Sequence, residues 1–311
     1  MEWKKKGVIF FPDGQYNWSQ THAQAPTVLV LNDRFRIFFA TRNQDNKSQI
    51  ALIDIDIDNP QKILHIHSEP VFSFGKPGTF DDEGVMPSFV GQYNNQLWMY
   101  YSGWNQRNTV PYHNAIGIAV SNNEGFTFER ISDGPIMDRS FEEPYIAITP
   151  YIVKENNLWR MWYSSGLQWK MINGHFEHIY AIKYAESING IDWKRYKKNI
   201  IKQSHSLEVL CRPCVVKINN HYHLWYSYRD SLDFRNGTGA YKMGYAISKN
   251  GDEWLRNDEK SGLNPSEKGW DSKMICYPYV VKAKNNHFLF YNGNDFGKSG
   301  IGYAILNETN T

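Results

Sequence analysis

The sequence predicts an all-β fold, a five-bladed β-propeller with four antiparallel strands in each blade. The first observation is a repeat, in which a proline opens an apolar run, an Asn- or Asp-containing turn follows, and an aromatic-rich strand comes next. The second observation is the spacing, since the five prolines recur roughly every sixty residues. They are Pro26, Pro87, Pro150, Pro213 and Pro278.

Each repeat continues with a third strand and a hairpin. Three examples are GIAVSNNEGFTFER, IKYAESINGIDWKR and MGYAISKNGDEWLR. The Asn-Gly and Glu-Gly corners supply the positive φ that tight hairpins require. Four strands in each period make one propeller blade.

The last repeat ends after its third strand, IGYAIL, and lacks a partner at its outer edge. The N-terminal segment GVIFF matches no repeat and is predicted to supply the missing fourth strand. That pairing would close the ring and leave no open edge. Residues 1–311 are therefore predicted to form a single domain without a linker.

Composition excludes several classes of partner. The chain has 311 residues and a formal charge of +2, so neither a nucleic acid nor a membrane is expected as a partner. The apolar run from Val8 to Phe11 is too short for a signal peptide, and three cysteines form no disulfide framework. These features predict a cytoplasmic protein and leave its oligomeric state open.

In this fold, residues just before each proline and just after each aromatic strand converge at one end of the central channel. That rim is rich in carboxylates, and glycosyl transfer needs one carboxyl group as acid and a second as base or nucleophile. The residues predicted to be catalytic are Glu208, Glu143, Asp82 and Asp271.

Local context sets these four apart from ordinary loop acids. Glu143 precedes Pro144, and Trp270 precedes Asp271, where an indole could desolvate the carboxyl group. Glu208 and Asp82 each lie five residues before the proline of their own repeat. Glu208 and Glu143 are predicted to be acid and base, in either order, with the two aspartates tuning them.

The same rim carries groups suited to binding a sugar. Aromatic residues make up 15% of the chain, and their faces pack against sugar C–H groups. An arginine pair, Arg212 and Arg229, could hold a carboxylate or a phosphate. The predicted ligand is a carbohydrate, a sugar phosphate or a nucleotide sugar, and the predicted binding residues are His22, Gln24, Arg42, Glu83, Trp104, Trp169, Arg212, Arg229, Asp230, Tyr277 and Asn294.

No cofactor and no metal are predicted. His22 has no His-x-His or His-x-x-x-His partner, so a hydrogen bond to a hydroxyl is the expected role. Cys211 and Cys214 form a C-x-x-C pair, yet Cys211 and Cys276 occupy the same place in neighbouring repeats. We therefore interpret these cysteines as small buried residues.

The motifs HAQAP, GVMPS, EEPY, CRPCV, GWDS and YNGN carry a resemblance to a known group of proteins. The chain resembles the five-bladed propeller glycosidases of glycoside hydrolase families 32, 43, 62, 68, 117 and 130. Within them it is most similar to an uncharacterised group associated with bacterial surface-polysaccharide genes. Ala25 and Ser88 stand where those hydrolase families carry acids, so their catalytic set does not transfer to this sequence.

Three functions remain open at this point. The leading interpretation is a glycoside hydrolase-like enzyme that acts on an oligosaccharide or activated sugar in bacterial surface-glycan metabolism. A phosphate-dependent phosphorylase or a glycosyl transfer enzyme, with phosphate on Arg212 and Arg229, is the second. A glycan-binding propeller without turnover is the third.

Overall fold

A computed structural model of the protein describes residues 1–235 and 237–307. The regular secondary structure of these residues is almost entirely β, with twenty strands joined by turns and loops. The described residues have two short helical elements, a 3-10 turn at Asp258–Ser261 and a helical turn at Asn294–Gly297. Runs such as VLVL and VVKI at the proline of each repeat favour strands, because β-branched side chains pack well on a pleated surface.

The strands fall into five sets of four, which we number repeat 1 to repeat 5. Repeat 1 contains β2 (Thr21–Val30), β3 (Arg34–Arg42), β4 (Ser48–Asp56) and β5 (Ile63–Ile66). Repeat 2 contains β6 (Gly84–Tyr93), β7 (Gln96–Gln106), β8 (Tyr112–Ser121) and β9 (Glu129–Arg130).

Repeats 3 and 4 follow the same antiparallel order. Repeat 3 contains β10 (Ala147–Glu155), β11 (Leu158–Ile172), β12 (His175–Ser187) and β13 (Lys194–Tyr196). Repeat 4 contains β14 (Glu208–Ile218), β15 (His221–Asp230), β16 (Lys242–Ser248) and β17 (Leu255–Arg256).

Repeat 5 combines the two ends of the sequence. It contains β18 (Cys276–Ala283), β19 (Asn286–Asn292), β20 (Ile301–Leu306) and β1 (Trp3–Phe10). β1 is antiparallel to β20, with Trp3 opposite Leu306. The predicted pairing of the N-terminal segment with the last repeat is therefore confirmed.

Repeats 1 and 2 are linked more directly than the others. Their strands form one eight-stranded sheet, whereas repeats 3, 4 and 5 are separate four-stranded sheets. The link is a single parallel pairing of Ser48 on β4 with Gly84 on β6. The Ser48 hydroxyl also donates to the carbonyl oxygen of Val85 at 3.1 Å, so one serine connects the two repeats.

The innermost strand of every repeat has a β-bulge at its proline, as the register shifts show. In four repeats the residue before the proline has φ between 53° and 58°, a conformation that costs roughly 1–3 kcal/mol outside glycine. These residues are Ala25, Thr149, Arg212 and Tyr277.

A hydrogen bond to the preceding repeat accompanies each of these strained residues. The N–H of Ala25 donates to Asn292 Oδ1 at 2.7 Å, and that of Tyr277 donates to Ser227 Oγ at 2.8 Å. The equivalent donations go from Thr149 to Ser102 Oγ and from Arg212 to Ser164 Oγ. Local strain is thus tied to contacts between neighbouring repeats.

The outer hairpins confirm the predicted turn chemistry. Gly125, Gly190 and Gly251 have φ of 91°, 77° and 79°. The carbonyl of Gly190 accepts a bond from the Tyr100 hydroxyl at 2.8 Å, and that of Gly251 accepts one from Trp162 Nε1 at 3.2 Å. The hairpins of Gly190 and Gly251 therefore also bind a buried ring of the preceding repeat.

Candidate functional site

A pocket of about 410 Å³ lies where the starts of the innermost strands meet the ends of the second strands. Repeats 1, 2, 3 and 5 contribute to its wall. The lining residues are Gln24, Arg42, Asn46, Ser48, Met86, Ser102, Trp104, Tyr112, Asn114, Ile148, His178, Tyr180 and Tyr277. We call this the central pocket.

Rings with polar edges dominate the wall of the central pocket. Trp104 Nε1 donates to Ser48 Oγ at 3.1 Å, which fixes the indole. The Gln24 amide donates to the Tyr277 hydroxyl oxygen at 3.3 Å. Burial raises the pKa of Tyr180 and of Tyr277 well above the usual value of 10, so both hydroxyls stay protonated and can donate hydrogen bonds.

Arg42 is the one arginine of this wall. Its Nη1 donates to Asn46 Oδ1 at 3.0 Å. Within residues 1–235 and 237–307, no carboxylate lies within ion-pair distance of its guanidinium. Burial lowers the pKa of Arg42, yet an arginine remains charged at neutral pH.

His178 and Asn114 are buried in the wall, and each has one polar atom without a partner among the described residues. His178 Nδ1 lies 2.6 Å from the Tyr112 hydroxyl, while its Nε2 has no partner. Burial lowers the pKa of His178 well below 6.5, so the ring is neutral. Asn114 Nδ2 donates to the Gly103 carbonyl at 3.2 Å, and Asn114 Oδ1 has no partner.

Four of the residues predicted to bind the ligand therefore come together here: Gln24, Arg42, Trp104 and Tyr277. The sequence reasoning missed Tyr112, Asn114, His178 and Tyr180, because it considered only the first two strands of each repeat. The signal was present at the starts of the third strands, where YHNAIG and HIYAIK each place polar or aromatic residues before the apolar run. Trp169 packs behind the wall, with its ring 4.9 Å from that of His178.

The predicted catalytic acid Glu143 lies within repeat 3 and does not line the central pocket. It is 3% exposed. Its carboxylate accepts bonds from Tyr163 at 2.9 Å and Ser165 at 3.0 Å, and Arg195 Nη1 lies 3.3 Å away. Lys183 adds a second cation at 3.4 Å.

Glu208 and Asp271 lie in equivalent ion pairs of repeats 4 and 5. Arg256 binds both oxygens of Glu208, at 2.7 and 2.8 Å. Asp271 accepts bonds from Lys5 Nζ at 2.6 Å and the Tyr291 hydroxyl at 2.9 Å. The three acids are thus held apart, each by a cation from the outermost strand of its own repeat.

The two predicted acids of repeat 2, Asp82 and Glu83, lie in different environments. Asp82 accepts a bond from the Gly78 N–H at 2.8 Å, and its other oxygen is buried without a partner among the described residues. Glu83 lies at the rim of the central pocket, because its N–H donates to the Trp104 carbonyl at 3.2 Å and its carboxylate lies 3.1 Å from Lys47 Nζ. Its side chain is 25% exposed.

A smaller pocket of about 120 Å³ in repeat 4 brings three other predicted residues together: Glu208, Arg229 and Asp230. The Arg229 guanidinium lies 3.6 Å from the centre of the Phe234 ring and donates to Ser231 Oγ at 3.1 Å. Asp230 lies 3.4 Å from His205.

Three further predicted residues line neither pocket. Arg212 is 1% exposed and crosses between repeats, since its guanidinium donates to the carbonyls of Pro87 at 2.7 Å and Pro26 at 3.0 Å. Burial lowers the pKa of Arg212 to about 10. Asn294 Oδ1 accepts the Lys273 N–H at 2.7 Å.

The third, His22, lies on β2 two residues before the pocket residue Gln24. Burial lowers its pKa to about 4, and the positive charges of Arg42 and Lys298 add to that shift. No group of three His, Cys, Asp or Glu side chains within the described ranges could hold a metal ion. No helix in those ranges is long and apolar enough to cross a membrane.

Comparison with solved structures identifies the class of fold. A structure titled "Glycoside hydrolase" has a TM-score of 0.77 at 17% identity and covers 98% of this chain and 92% of its own. A thermostable family-43 glycoside hydrolase has a TM-score of 0.68 at 19% identity, and the match covers 92% of this chain and 89% of the hydrolase. A structure from the GH130 family of mannoside phosphorylases has a TM-score of 0.75 at 14% identity, and the match covers 99% of this chain and 94% of that structure. The chain therefore has the fold of the glycoside hydrolase propellers.

Comparison with curated sequences identifies the family. Uncharacterized protein Rv1502 of Mycobacterium tuberculosis is 34% identical over 308 residues, which cover 98% of this chain and 99% of the relative. The chain belongs to the same family as this mycobacterial protein. No family model matches the sequence.

Proposed function

We propose that the five repeats are the blades of one closed five-bladed propeller that spans the chain. Three features support this. The innermost strands contact each other in the order β2, β6, β10, β14, β18 and back to β2. β1 completes the last set. Finally, Arg212 of repeat 4 donates to carbonyls of repeats 1 and 2 across the centre.

The protein is proposed to be a glycosidase-like enzyme that binds a carbohydrate in the central pocket. The observation that carries this proposal is the wall of that pocket, which combines aromatic faces with neutral hydrogen-bonding groups. Trp104 and Tyr277 offer rings for the apolar face of a sugar, while Gln24 and Asn114 offer amide groups for its hydroxyls.

Glu83 is proposed as the acid that acts at this pocket. Its carboxylate is partly exposed and pairs with Lys47, and its backbone N–H donates to the carbonyl oxygen of the wall residue Trp104. Glu143, Glu208 and Asp271 are proposed to stabilise the fold instead, since each is buried against a cation of its own repeat. An oligosaccharide or activated sugar of bacterial surface glycans stays the predicted substrate, and a cytoplasmic location stays a prediction.

The test combines binding and turnover. Purified protein is assayed against a panel of bacterial oligosaccharides, with binding measured by calorimetry and released sugar by chromatography. Trp104→Ala is expected to weaken binding at least tenfold, and Glu83→Gln is expected to abolish turnover while binding persists. Glu253→Gln, at an exposed site on an outer hairpin, is the matched control and is expected to change neither quantity.

A second candidate is a glycan-binding protein without turnover. The observation that favours it is that no Asp or Glu is among the described residues that line the central pocket. This candidate predicts tight binding without any released sugar, and no effect of Glu83→Gln beyond a small change in affinity. Full turnover by the Glu83→Gln protein would contradict the proposed role of Glu83.

A further inference from the structure

We propose that the carbohydrate taken by the central pocket carries a carboxylate or phosphate group, and that Arg42 binds this anionic group. The inference rests on the proposed function and names the chemical class of the ligand. Its basis is the unusual charge balance of the pocket wall and the unused hydrogen-bonding capacity within it.

The wall of the central pocket carries positive charge without a compensating acid. Among the thirteen lining residues there is one arginine, and no Asp, Glu or Lys. Glu83, which adjoins the wall residue Trp104 through its backbone N–H, is paired with Lys47 at 3.1 Å. An anionic group that entered the pocket would therefore meet Arg42 without opposition from a carboxylate of the wall.

Arg42 differs from most arginines of this chain in its partners. Arg36, Arg195 and Arg256 each bind a buried carboxylate, and Arg212 donates to carbonyl oxygens. The guanidinium of Arg42 has five N–H donors, and the bond to Asn46 uses one of them. The remaining fork fits a planar carboxylate or a phosphate, which accept two parallel bonds.

Two buried residues of the same wall indicate independently that a polar ligand is accommodated. Asn114 and His178 are 5% and 7% exposed, and Asn114 Oδ1 and His178 Nε2 have no partner within the described residues. Buried polar atoms without partners are costly, so native proteins usually satisfy them with water or a ligand. Sugar hydroxyls are both donors and acceptors and could satisfy each of these atoms.

The histidine next to Arg42 adds no positive charge to this side of the pocket. His22 on β2 is close enough to feel the charges of Arg42 and Lys298. It remains neutral at physiological pH because burial and these charges lower its pKa to about 4. His22 therefore adds a hydrogen-bonding ring beside the arginine and no second charge.

The experiment uses matched pairs of neutral and anionic probes with the full-length protein. Calorimetry measures the binding of glucuronic, galacturonic and mannuronic acids against the corresponding hexoses, of the three hexose 1-phosphates, and of inorganic phosphate alone. We expect at least one anionic probe to bind ten times more tightly than its neutral partner. A preference for the uronic acids identifies a carboxylate as the bound group, and a preference for the phosphates identifies a phosphate.

Variants of Arg42 connect this preference to its cause. Arg42→Gln is expected to remove the preference for anionic probes and to change the affinity for the neutral probe by less than threefold. Arg42→Lys is expected to keep part of the preference. Arg107→Gln, at an exposed arginine after the second strand of repeat 2, is expected to change neither. Thermal unfolding of each variant verifies that the fold is retained.

Three results would overturn the inference, and they are distinguishable from one another. Neutral hexoses that bind as tightly as their anionic partners would contradict the anionic ligand, whereas an anionic preference that survives Arg42→Gln would contradict the role of Arg42. Both of these results would retain the proposed sugar site. No binding of any probe or of the oligosaccharide panel would contradict both this inference and the proposed function.

Discussion

Repeat 1 differs from repeats 2 to 5 in how its strands are held together. In repeats 2, 3 and 5 a buried acid before the innermost strand binds a tyrosine of the second strand and a cation of the outermost strand. The three sets are Asp81–Tyr101–Arg130, Glu143–Tyr163–Arg195 and Asp271–Tyr291–Lys5. We call this arrangement the acid–tyrosine–base brace.

Repeat 4 has a variant of the brace. Arg256 binds Glu208 through both oxygens, and it also lies 2.6 Å from Asp258. The Tyr226 hydroxyl donates to Asp258 at 2.6 Å instead of to Glu208. An additional acid thus joins the network, and the same three strands are connected.

Repeat 1 has no such brace. The strand register places Phe39 at the tyrosine position and Ala40 at the position of Ser102 and Ser227. The segment before its proline carries His22 and Gln24, and no acid. Accordingly, no side chain at Ala40 can accept the N–H of Met86 in repeat 2, and Met86 lacks the positive φ of its equivalents.

The absence of the brace in repeat 1 coincides with the position of the central pocket. Repeat 1 contributes Gln24, Arg42, Asn46 and Ser48 to the central pocket, whereas none of the described residues of repeat 4 lines it. Carboxylates that recur in repeats 2 to 5 are occupied by cations and stabilise the fold. Repeat 1, which has no brace, contributes polar side chains to the pocket wall instead.

The largest expected effect comes from removal of a brace acid. Glu208→Ala removes two charge-assisted hydrogen bonds to the partly buried Arg256, which keeps Asp258 as its partner, and we expect the free energy of unfolding to fall by about 3–5 kcal/mol. Urea denaturation measures this change. Lys76→Ala breaks an ion pair with Asp133 whose side chains are 74% and 56% exposed, and this control is expected to cost less than about 1 kcal/mol. Equal effects of the two changes would contradict a structural role for Glu208.

The next prediction exchanges the tyrosine position between repeats. Tyr291→Phe removes a donor to the buried carboxylate of Asp271 and is expected to destabilise the protein by about 2 kcal/mol. Phe39→Tyr in repeat 1 adds a hydroxyl where no acid receives it, and a similar cost of about 1–3 kcal/mol is expected. Equilibrium unfolding measures both. A stabilising Phe39→Tyr change would show that repeat 1 contains an acceptor for this hydroxyl.

A smaller effect is expected from the pH dependence of stability that His22 contributes in repeat 1. Its pKa is about 4 in the folded protein and 6.5 in the unfolded chain. The unfolded state therefore binds more protons between these values, so stability is full above pH 6.5 and decreases as pH falls towards 4. After discounting for the exposed part of the ring, the loss is roughly 1–2 kcal/mol.

His22→Asn is the variant that isolates this contribution. Asparagine tolerates the φ of 64° found at His22 and does not titrate. Unfolding measured from pH 7 to pH 4 should have a shallower slope in the variant than in the parent. Identical slopes would mean that the His22 pKa is not lowered by folding.

The smallest expected effect concerns the bonds between repeats. Ser227→Ala removes the acceptor of the strained Tyr277 N–H and is expected to cost about 1 kcal/mol, as well as weakening ligand binding at the pocket wall. Ala40→Ser is the comparison in repeat 1, where the neighbouring Met86 has no positive φ. Ala40 is 1% exposed, so the added hydroxyl is buried without an established partner, and we expect a cost of about 1 kcal/mol. A gain in stability would show instead that the new hydroxyl accepts the Met86 N–H, as Ser227 accepts that of Tyr277.

Much of the fold and part of the site were predictable from the sequence. The prolines, the Asn-Gly corners and the apolar runs specify strands and turns locally, because they restrict φ and set the hydrophobic period. Convergence of the repeats also placed Gln24, Arg42, Trp104 and Tyr277 near one another. The predicted resemblance to glycosidase propellers is confirmed at the level of the fold.

The roles of the charged residues were decided by the tertiary structure. Lys5 binds Asp271 across 266 positions of the chain, and Arg212 reaches the Pro87 carbonyl across 125 positions. The residues next to an acid in the sequence do not reveal partners this distant. The sequence therefore does not distinguish an acid that is paired with a cation from one that is free. The sequence by itself thus determined the repeated strands and turns, whereas only long-range packing determined which acids are neutralised and left Arg42 without a carboxylate in the pocket.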